Sequence, residues 1–170
     1  MKRALPILAG LCMLVVVSCS KPAPQLIKAY PVDSLDWLVS TNGVELDKNI
    51  SSDGKGSLRI AASEPTTVRL YETPNLNIEN ARVLYQAKLK SKDLGGKAYL
   101  EMWVHIEGKG EFFSRGLDHT ISGNTDWVSE EIPFFINKGL KCDSVKLDLV
   151  IEGKGTVWVD DIKIYKAPLK

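Results

Sequence analysis

Residues 155–165 read GTVWVDDIKIY, and this stretch decides the fold. Apolar residues occupy odd positions in its first half and even positions in its second half, in the order Val157, Val159, Ile162 and Ile164. Successive side chains of a β-strand point to opposite faces, so this change of parity requires one extra residue between the two halves. We therefore predict a strand that carries a β-bulge at Asp160 and Asp161.

The rest of the chain shows the same two-residue alternation in short stretches separated by Gly, Asn, Asp and Pro. The predicted strands cover residues 56–62, 67–72, 82–90, 98–106, 111–114, 127–134, 145–152 and 156–165, with a further strand around residues 26–30. One helical turn is predicted near residues 34–39, where Asp33 or Ser34 could cap it. About eight strands at this spacing indicate an all-β, antiparallel β-sandwich or jelly roll.

The pentapeptide IEGKG occurs twice, at residues 106–110 and 151–155. Each copy lies between two β-prone runs, and paired glycines allow the positive φ angles that tight hairpins need. We predict a β-hairpin at each copy.

Several strands resemble those of jelly-roll carbohydrate-binding modules of the galactose-binding-like superfamily, in particular the modules of xylanases and glucanases. The resemblance rests on GSLRI at residues 56–60, RVLYQAKLK at 82–90, TDW at 125–127 and the closing GTVWVDDI at 155–162. It covers roughly residues 44–165 and implies a jelly-roll fold and sugar binding. Residues 102–118 lie outside the shared motifs, so the resemblance assigns no role to them.

The strand at residues 98–106 carries the candidate binding site. Its even-numbered residues are apolar and predict a core face, whereas its other face would present Tyr99, Glu101, Trp103 and His105. Aromatic rings stack on the apolar face of a sugar, and carboxylate and imidazole groups bond its hydroxyls. Neighbouring strands could add Gln86 and Lys88 on one side, and Lys146 and Asp148 on the other. The alternative is that the rings are covered and that Glu101 forms a structural ion pair.

The bulge at Asp160 and Asp161 is a candidate metal site. The resemblance implies a structural Ca²⁺ held by a carboxylate of the closing strand, and Glu45 or Asp47 could contribute. Calcium takes about 6–8 oxygen ligands, so two carboxylates alone are insufficient. The alternative is that one aspartate accepts hydrogen bonds from backbone amides freed by the bulge. No other cofactor is expected.

The sequence shows no enzyme signature, so no catalytic residue is predicted. Asp118 and His119 form an isolated pair within a polar loop. Cys142 has no motif around it and is predicted to be a buried packing residue.

The N-terminus resembles that of a bacterial lipoprotein. Lys2 and Arg3 precede an apolar run over residues 7–17, which is typical of a secretion signal. The run ends in VVSC at residues 16–19, which resembles the bacterial lipobox. The resemblance implies a signal peptide over residues 1–18, cleavage before Cys19, and attachment of lipid chains such as palmitate to Cys19. The alternatives are an uncleaved anchor and ordinary cleavage near Ser20.

Residues 19–25 are then a lipidated, Pro-rich tether, and residues 26–170 form one domain. The expected location is the cell envelope, on the outer membrane if the host is Gram-negative. The net charge of +1 gives no indication of a nucleic-acid partner. We expect a lipid-anchored binding module with a glycan partner. The alternatives are a structural lipoprotein that binds an envelope protein and, third, a hydrolase.

Overall fold

The computed structural model describes residues 22–169, which form seven β-strands and contain no helix. The strands are β1 (Gln25–Ala29), β2 (Val44–Asp47), β3 (Ser57–Ala62), β4 (Thr66–Thr73), β5 (Ile78–Ile106), β6 (Gly110–Arg115) and β7 (Ile121–Pro168). Within these residues, no helix exists that is long and apolar enough to cross a membrane. The signal peptide and Cys19 lie outside the described residues, so their predicted roles stay predictions.

Two of the strands, β5 and β7, are long enough to take part in both layers of the fold. Residues 81–92 of β5 pair with residues 125–136 of β7 on one side and 156–168 on the other. Residues 97–106 of β5 pair with residues 142–152 of β7. Partner numbers fall along β7 as they rise along β5, which is the register of antiparallel pairing.

The pairing gives two layers. The first sheet contains β2, β3, residues 81–92 of β5, and residues 125–136 and 156–168 of β7. β1 pairs with residues 163–166 of β7. The second sheet has the order β4, residues 145–152 of β7, residues 97–106 of β5, and β6. The inner faces of both sheets form one apolar core. This core includes Leu58, Leu70, Val83, Leu89, Leu100, Met102, Leu147, Leu149, Val157 and Ile164. The fold is therefore the predicted β-sandwich.

Glycines mark the place where β5 and β7 pass from one sheet to the other. Gly96 lies opposite Gly153, and a Cβ on either residue would approach a carbonyl oxygen of the other strand to 2.1 or 2.0 Å. No side chain fits at such a distance, so this crossing requires glycine on both strands. The second IEGKG copy supplies Gly153, and the prediction of a hairpin there is wrong because the chain continues as paired strand.

The first IEGKG copy does form the predicted hairpin. The amide of Lys109 donates to the carbonyl of Ile106 at 2.9 Å, and Ile106 pairs with Gly110 across the turn. The same five residues thus form a turn in one context and a sheet crossing in the other. Because the five residues are identical, the difference in structure must come from the strands that lie beside each copy.

The closing strand contains the predicted bulge. Lys88 lies opposite Asp160 and Gln86 opposite Lys163, so two steps along β5 match three along β7. All the predicted strands are present, and β2 is an additional strand that the alternation did not indicate. The helical turn predicted near residues 34–39 is instead a single hydrogen-bonded turn, in which Leu38 donates to the carbonyl of Leu35 at 3.2 Å.

Candidate functional site

The outer face of the second sheet carries the candidate site. Leu100, Met102 and Val104 are fully buried in the core, as the alternation predicts. Tyr99, Glu101, Trp103 and His105 therefore point to the opposite face, where the remaining strands of this sheet add their own side chains.

Four charged residues form a straight row across this face. Arg115, Glu101, Asp148 and Arg69 are successive cross-strand neighbours on β6, β5, β7 and β4. The two carboxylates lie in the middle and one arginine lies at each end. Asp148 was named as a residue that a neighbouring strand could add to this face, and in the structure it lies opposite Glu101.

Each carboxylate of the row has an arginine partner. Arg69 donates from Nε and Nη2 to the two oxygens of Asp148, both at 3.0 Å, and Arg115 donates from Nε to Glu101. Asp148 is almost fully buried, and this burial raises the pKa of its carboxyl group, an effect that Arg69 opposes. The structural ion pair considered for Glu101 is therefore present.

The next row provides an aromatic surface. Trp103 is half-buried and Phe113 is 51% exposed, and their ring centroids lie 5.2 Å apart at an angle of 49°. The indole Nε1 of Trp103 donates to Glu101 at 2.8 Å, and the Arg115 guanidinium lies 4.7 Å from the Phe113 centroid. Two members of the charged row thus contact the rings, Glu101 at Trp103 and Arg115 at Phe113.

The other two predicted residues have partners of their own. Tyr99 is buried, and its hydroxyl donates to Glu152 at 2.8 Å. Burial raises the pKa of that hydroxyl, and the neighbouring Glu152 carboxylate raises it further. His105 is partly exposed, and its Nδ1 lies 2.7 Å from Oδ1 of Asp143. This contact holds the pKa of the Asp143 carboxyl below its ordinary value.

Phe113, Arg115 and Arg69 were not predicted as residues of this face. Glu111, Phe113 and Arg115 alternate within β6, so their common face was readable from the sequence. What could not be read was that β6 and β4 flank this face, since neither strand order nor register follows from periodicity.

Gln86 does not belong to this face, and its predicted placement is wrong. It lies between Glu131 and Lys163 in the first sheet, on the face turned away from the core. Residues 81–92 and 97–106 are parts of one strand, β5, but the crossing at Gly95 and Gly96 separates them into different layers. The outer faces of the two layers lie on opposite sides of the sandwich.

The bulge residues have internal roles. Asp160 accepts main-chain hydrogen bonds from Ser52 and from Asp161, both at 2.7 Å, and Asp161 lies 2.6 Å from the Lys163 ammonium. Asp47 accepts from the Trp158 indole at 2.9 Å, and Glu45 pairs with Arg59. Between residues 22 and 169, no group of three or more acidic, His or Cys side chains could hold a metal ion. The Asp160 carboxylate thus accepts main-chain hydrogen bonds, which was the alternative to a metal ligand, and calcium binding at the bulge stays a prediction.

Two further predictions concern single residues. Cys142 is fully buried, as expected, and burial raises the pKa of its thiol to about 12. His119 is exposed and lies 3.5 Å from Glu130 rather than beside a cluster of ligands. Asp118 is exposed in the same loop.

Comparisons with known proteins locate the fold among sugar-binding modules. No family model matches the sequence, and no curated protein matches it. Among solved structures, the chain is similar to the CBM22-1 xylan-binding domain from Paenibacillus barcinonensis Xyn10C. The TM-score is 0.61 at 15% identity, and the match covers 89% of this chain and 100% of that one. The chain therefore shares the jelly-roll fold of this domain.

Two other solved structures support this assignment of the fold. A xylan-binding domain of family 22 matches with a TM-score of 0.54 at 10% identity, covering 88% of this chain and 99% of that one. TmCBM61, solved with β-1,4-galactotriose, matches with a TM-score of 0.52 at 14% identity, covering 75% of this chain and 84% of that one. At such low identity the likeness establishes the fold and leaves the ligand open.

Proposed function

We propose that this protein is a non-catalytic, glycan-binding module and that the outer face of the second sheet holds the sugar. The observation that carries the proposal is the pair of rings at Trp103 and Phe113, which lies beside the row from Arg115 to Arg69. Solved structures with this fold include domains named for xylan binding and a module bound to β-1,4-galactotriose. A glycan of linked pyranose rings is therefore the ligand class that we infer.

The two rings would supply most of the affinity. Stacking of a ligand ring on an aromatic side chain is worth about 1–3 kcal/mol in nucleic-acid complexes, which we take as a guide for sugars. The exposed half of Phe113 leaves room for such a contact without any rearrangement of the chain. One or two contacts of this size give weak binding at a single site, so display of many copies would strengthen attachment through avidity.

The charged row would set the orientation of the sugar. Glu101, Asp148 and both arginines are held in place by their mutual contacts, so their free lone pairs and N–H groups are fixed before a ligand arrives. Such fixed groups bind hydroxyls with a smaller loss of side-chain entropy than mobile ones do. Each carboxylate is engaged by an arginine, which supports a role in binding rather than in proton transfer.

The direct experiment is a glycan array followed by titration calorimetry on wild type, Trp103→Ala and Phe113→Ala. We expect each variant to lose at least about fivefold in affinity for any glycan that the wild type binds. Trp127→Ala is the matched control, because Trp127 is also half-buried but lies next to Val128, which packs toward the core of the other sheet. Equal affinity for Trp103→Ala and wild type would refute this face as the site.

We also propose that the module is attached to the cell envelope through lipid on Cys19. Support comes from the lipobox-like sequence VVSC at residues 16–19 and from the Pro-rich stretch that follows it. Metabolic labelling with a palmitate analogue should mark the full-length protein and leave Cys19→Ala unlabelled. Label that persists in Cys19→Ala would contradict lipidation at this residue, and fractionation of membranes would identify which membrane carries the wild type.

A protein partner is the second candidate function. Exposed Phe113 beside Trp103 and Arg115 presents residue types that are enriched at protein–protein interfaces. If no glycan binds to a correctly folded wild-type protein, cross-linking at this face in the native envelope would test the second candidate. A panel of glycoside substrates that shows turnover would contradict the non-catalytic role.

A further inference from the structure

A second aromatic site lies at the edge of the second sheet. A cavity of about 310 Å³ is lined by Lys28, Tyr30, Pro31, Trp37, Tyr71 and Glu72. Trp37 is 72% exposed, which makes it the most exposed large apolar side chain of the described residues. Trp37 thus presents an accessible aromatic surface at the margin of this cavity.

The floor of the cavity is rigid. The rings of Tyr30 and Tyr71 are stacked with centroids 4.3 Å apart, and the Tyr71 hydroxyl donates to the carbonyl of Pro31 at 2.8 Å. Burial raises the pKa of the Tyr30 hydroxyl to about 12, so it remains neutral near pH 7. The Lys28 ammonium lies 4.8 Å from the Tyr30 centroid and extends over its ring.

The cavity combines an apolar surface with polar groups at its margin. Lys28 offers N–H donors and Glu72 offers acceptors, and Glu72 forms no ion pair with any residue between 22 and 169. This mixture suits a ring that has an apolar face and hydroxyls around its edge. The volume is near the lower end of the range for small-molecule pockets, about 300–1,000 Å³, so it accommodates a small ligand unit rather than a long chain.

One residue that lines the cavity, Glu72, belongs to the same cross-strand row as Trp103. Trp103 lies opposite Lys146, and Lys146 lies opposite Glu72, so this row of side chains ends at the cavity. The loop that carries Trp37 runs along the edge strand β4. The amide of Val39 donates to the carbonyl of Leu70 at 3.0 Å, and the amide of Ser40 donates to the carbonyl of Arg69 at 3.1 Å. Three strand spacings of about 4.8 Å place this loop about 14 Å from the strand of Trp103.

We propose that Trp37 and its cavity form a distal subsite for the same glycan chain that binds at Trp103. This inference rests on the proposed glycan-binding function. A chain that crosses the strands from Phe113 and Trp103 over Lys146 reaches Glu72 and then stacks its far unit on Trp37. Affinity should therefore increase with chain length until the glycan spans both aromatic positions.

The test is a length series of linear β-1,4-xylo- and β-1,4-galacto-oligosaccharides, from disaccharide to hexasaccharide, titrated into wild type and Trp37→Ala. We expect one chain per protein, unchanged affinity of Trp37→Ala for the disaccharide, and a loss of about fivefold or more for the hexasaccharide. Trp37→Phe should retain most of the gain because it keeps a ring. Trp127→Ala is the control for loss of an indole elsewhere, and thermal melting verifies that each variant is folded.

The outcomes are distinguishable. Hexasaccharide binding that is equal in wild type and Trp37→Ala overturns the distal subsite while the proposed function stands. Two disaccharides bound per protein, one of them lost in Trp37→Ala, also overturns it, because the sites would then be independent. Absence of binding of every oligosaccharide in the series to wild type overturns this inference, and absence of binding of any glycan on the array overturns the proposed function with it.

Discussion

Replacement of Arg69 by alanine tests whether the carboxylate at the centre of the proposed binding face depends on its arginine. The Asp148 side chain is 2% exposed and the Arg69 side chain 34% exposed, and two hydrogen bonds of 3.0 Å join them. Arg69→Ala leaves a buried carboxylate that has lost its partner and lies next to Glu101. The substitution therefore isolates the electrostatic part of this face.

The expected loss lies between two limits. Removal of one member of a fully buried pair costs about 3–5 kcal/mol, whereas a surface pair contributes about 0–1 kcal/mol. Here one partner is buried and the other is one-third exposed, so solvent screens part of the interaction. We expect Arg69→Ala to lower the free energy of unfolding at pH 7 by about 2–3 kcal/mol.

The loss should depend on pH in a defined direction. Burial raises the pKa of Asp148 above its unfolded value, so the folded protein holds that proton more tightly and loses stability as pH rises through this range. Arg69 lowers the pKa of Asp148, and its removal raises that pKa further. The difference between wild type and Arg69→Ala should therefore be small at low pH, where Asp148 is protonated in both states, and should grow as pH rises.

Urea unfolding at several pH values measures this difference, and Asp148→Asn provides the matched background. In a double-mutant cycle, Arg69→Ala should cost little once Asp148 carries no charge. A coupling energy below about 0.5 kcal/mol, or a loss that is as large at low pH as at pH 7, would refute the reasoning. Either result would mean that the pair is held by its surroundings rather than by its charges.

Three further substitutions or conditions test the scaffold. Gly153→Ala should lower the free energy of unfolding, measured by chemical denaturation, by at least about 3 kcal/mol, because its Cβ would lie 2.0 Å from the Gly95 carbonyl oxygen. Gly108→Ala is the control: its Cβ would meet open space, and the substitution should cost only about 1–2 kcal/mol. Tyr85→Phe should leave stability unchanged or raise it by up to about 2 kcal/mol, because the Tyr85 hydroxyl is buried without a partner among the described residues. Thermal melting in CaCl₂ and in EGTA should give the same Tm, because Asp160 binds main-chain amides, and a clear rise with calcium would contradict this view.

The sequence was sufficient for most of the strands and for the bulge, because these follow from local alternation, whereas β2 was missed. Val159 and Ile162 differ in parity, and a strand can bury both only through an extra residue. The crossing at Gly96 and Gly153 was not predictable, because nothing local separates a glycine that forms a turn from one that lies against another backbone. The partners of Glu101 were equally out of reach, since they depend on which strands become neighbours.

The error at Gln86 has the same origin. It stands in an alternating stretch, as Glu101 does, and each has a polar side chain on the outer face of its sheet. Only the glycine crossing between them puts the two residues on opposite sides of the sandwich. Periodicity therefore identifies the face of a strand, and long-range pairing decides which faces form a common surface.

The two contacts of Glu101 determine which ligands the proposed site would favour. Glu101 orients Trp103 through the indole N–H and also pairs with Arg115, so a sugar hydroxyl that bonds Glu101 does so without having to order a mobile side chain. A ligand that displaced Arg115 would instead leave a charge unpaired beside Asp148, at a cost of several kcal/mol. Neutral hydroxyls that add to the existing network are therefore favoured over anionic groups that would compete with Glu101 and Asp148 for the arginines. Uncharged glycans should bind this face more tightly than sulfated or uronic-acid chains of equal length, and the reverse order on a glycan array would show that the arginines, rather than the rings, control binding.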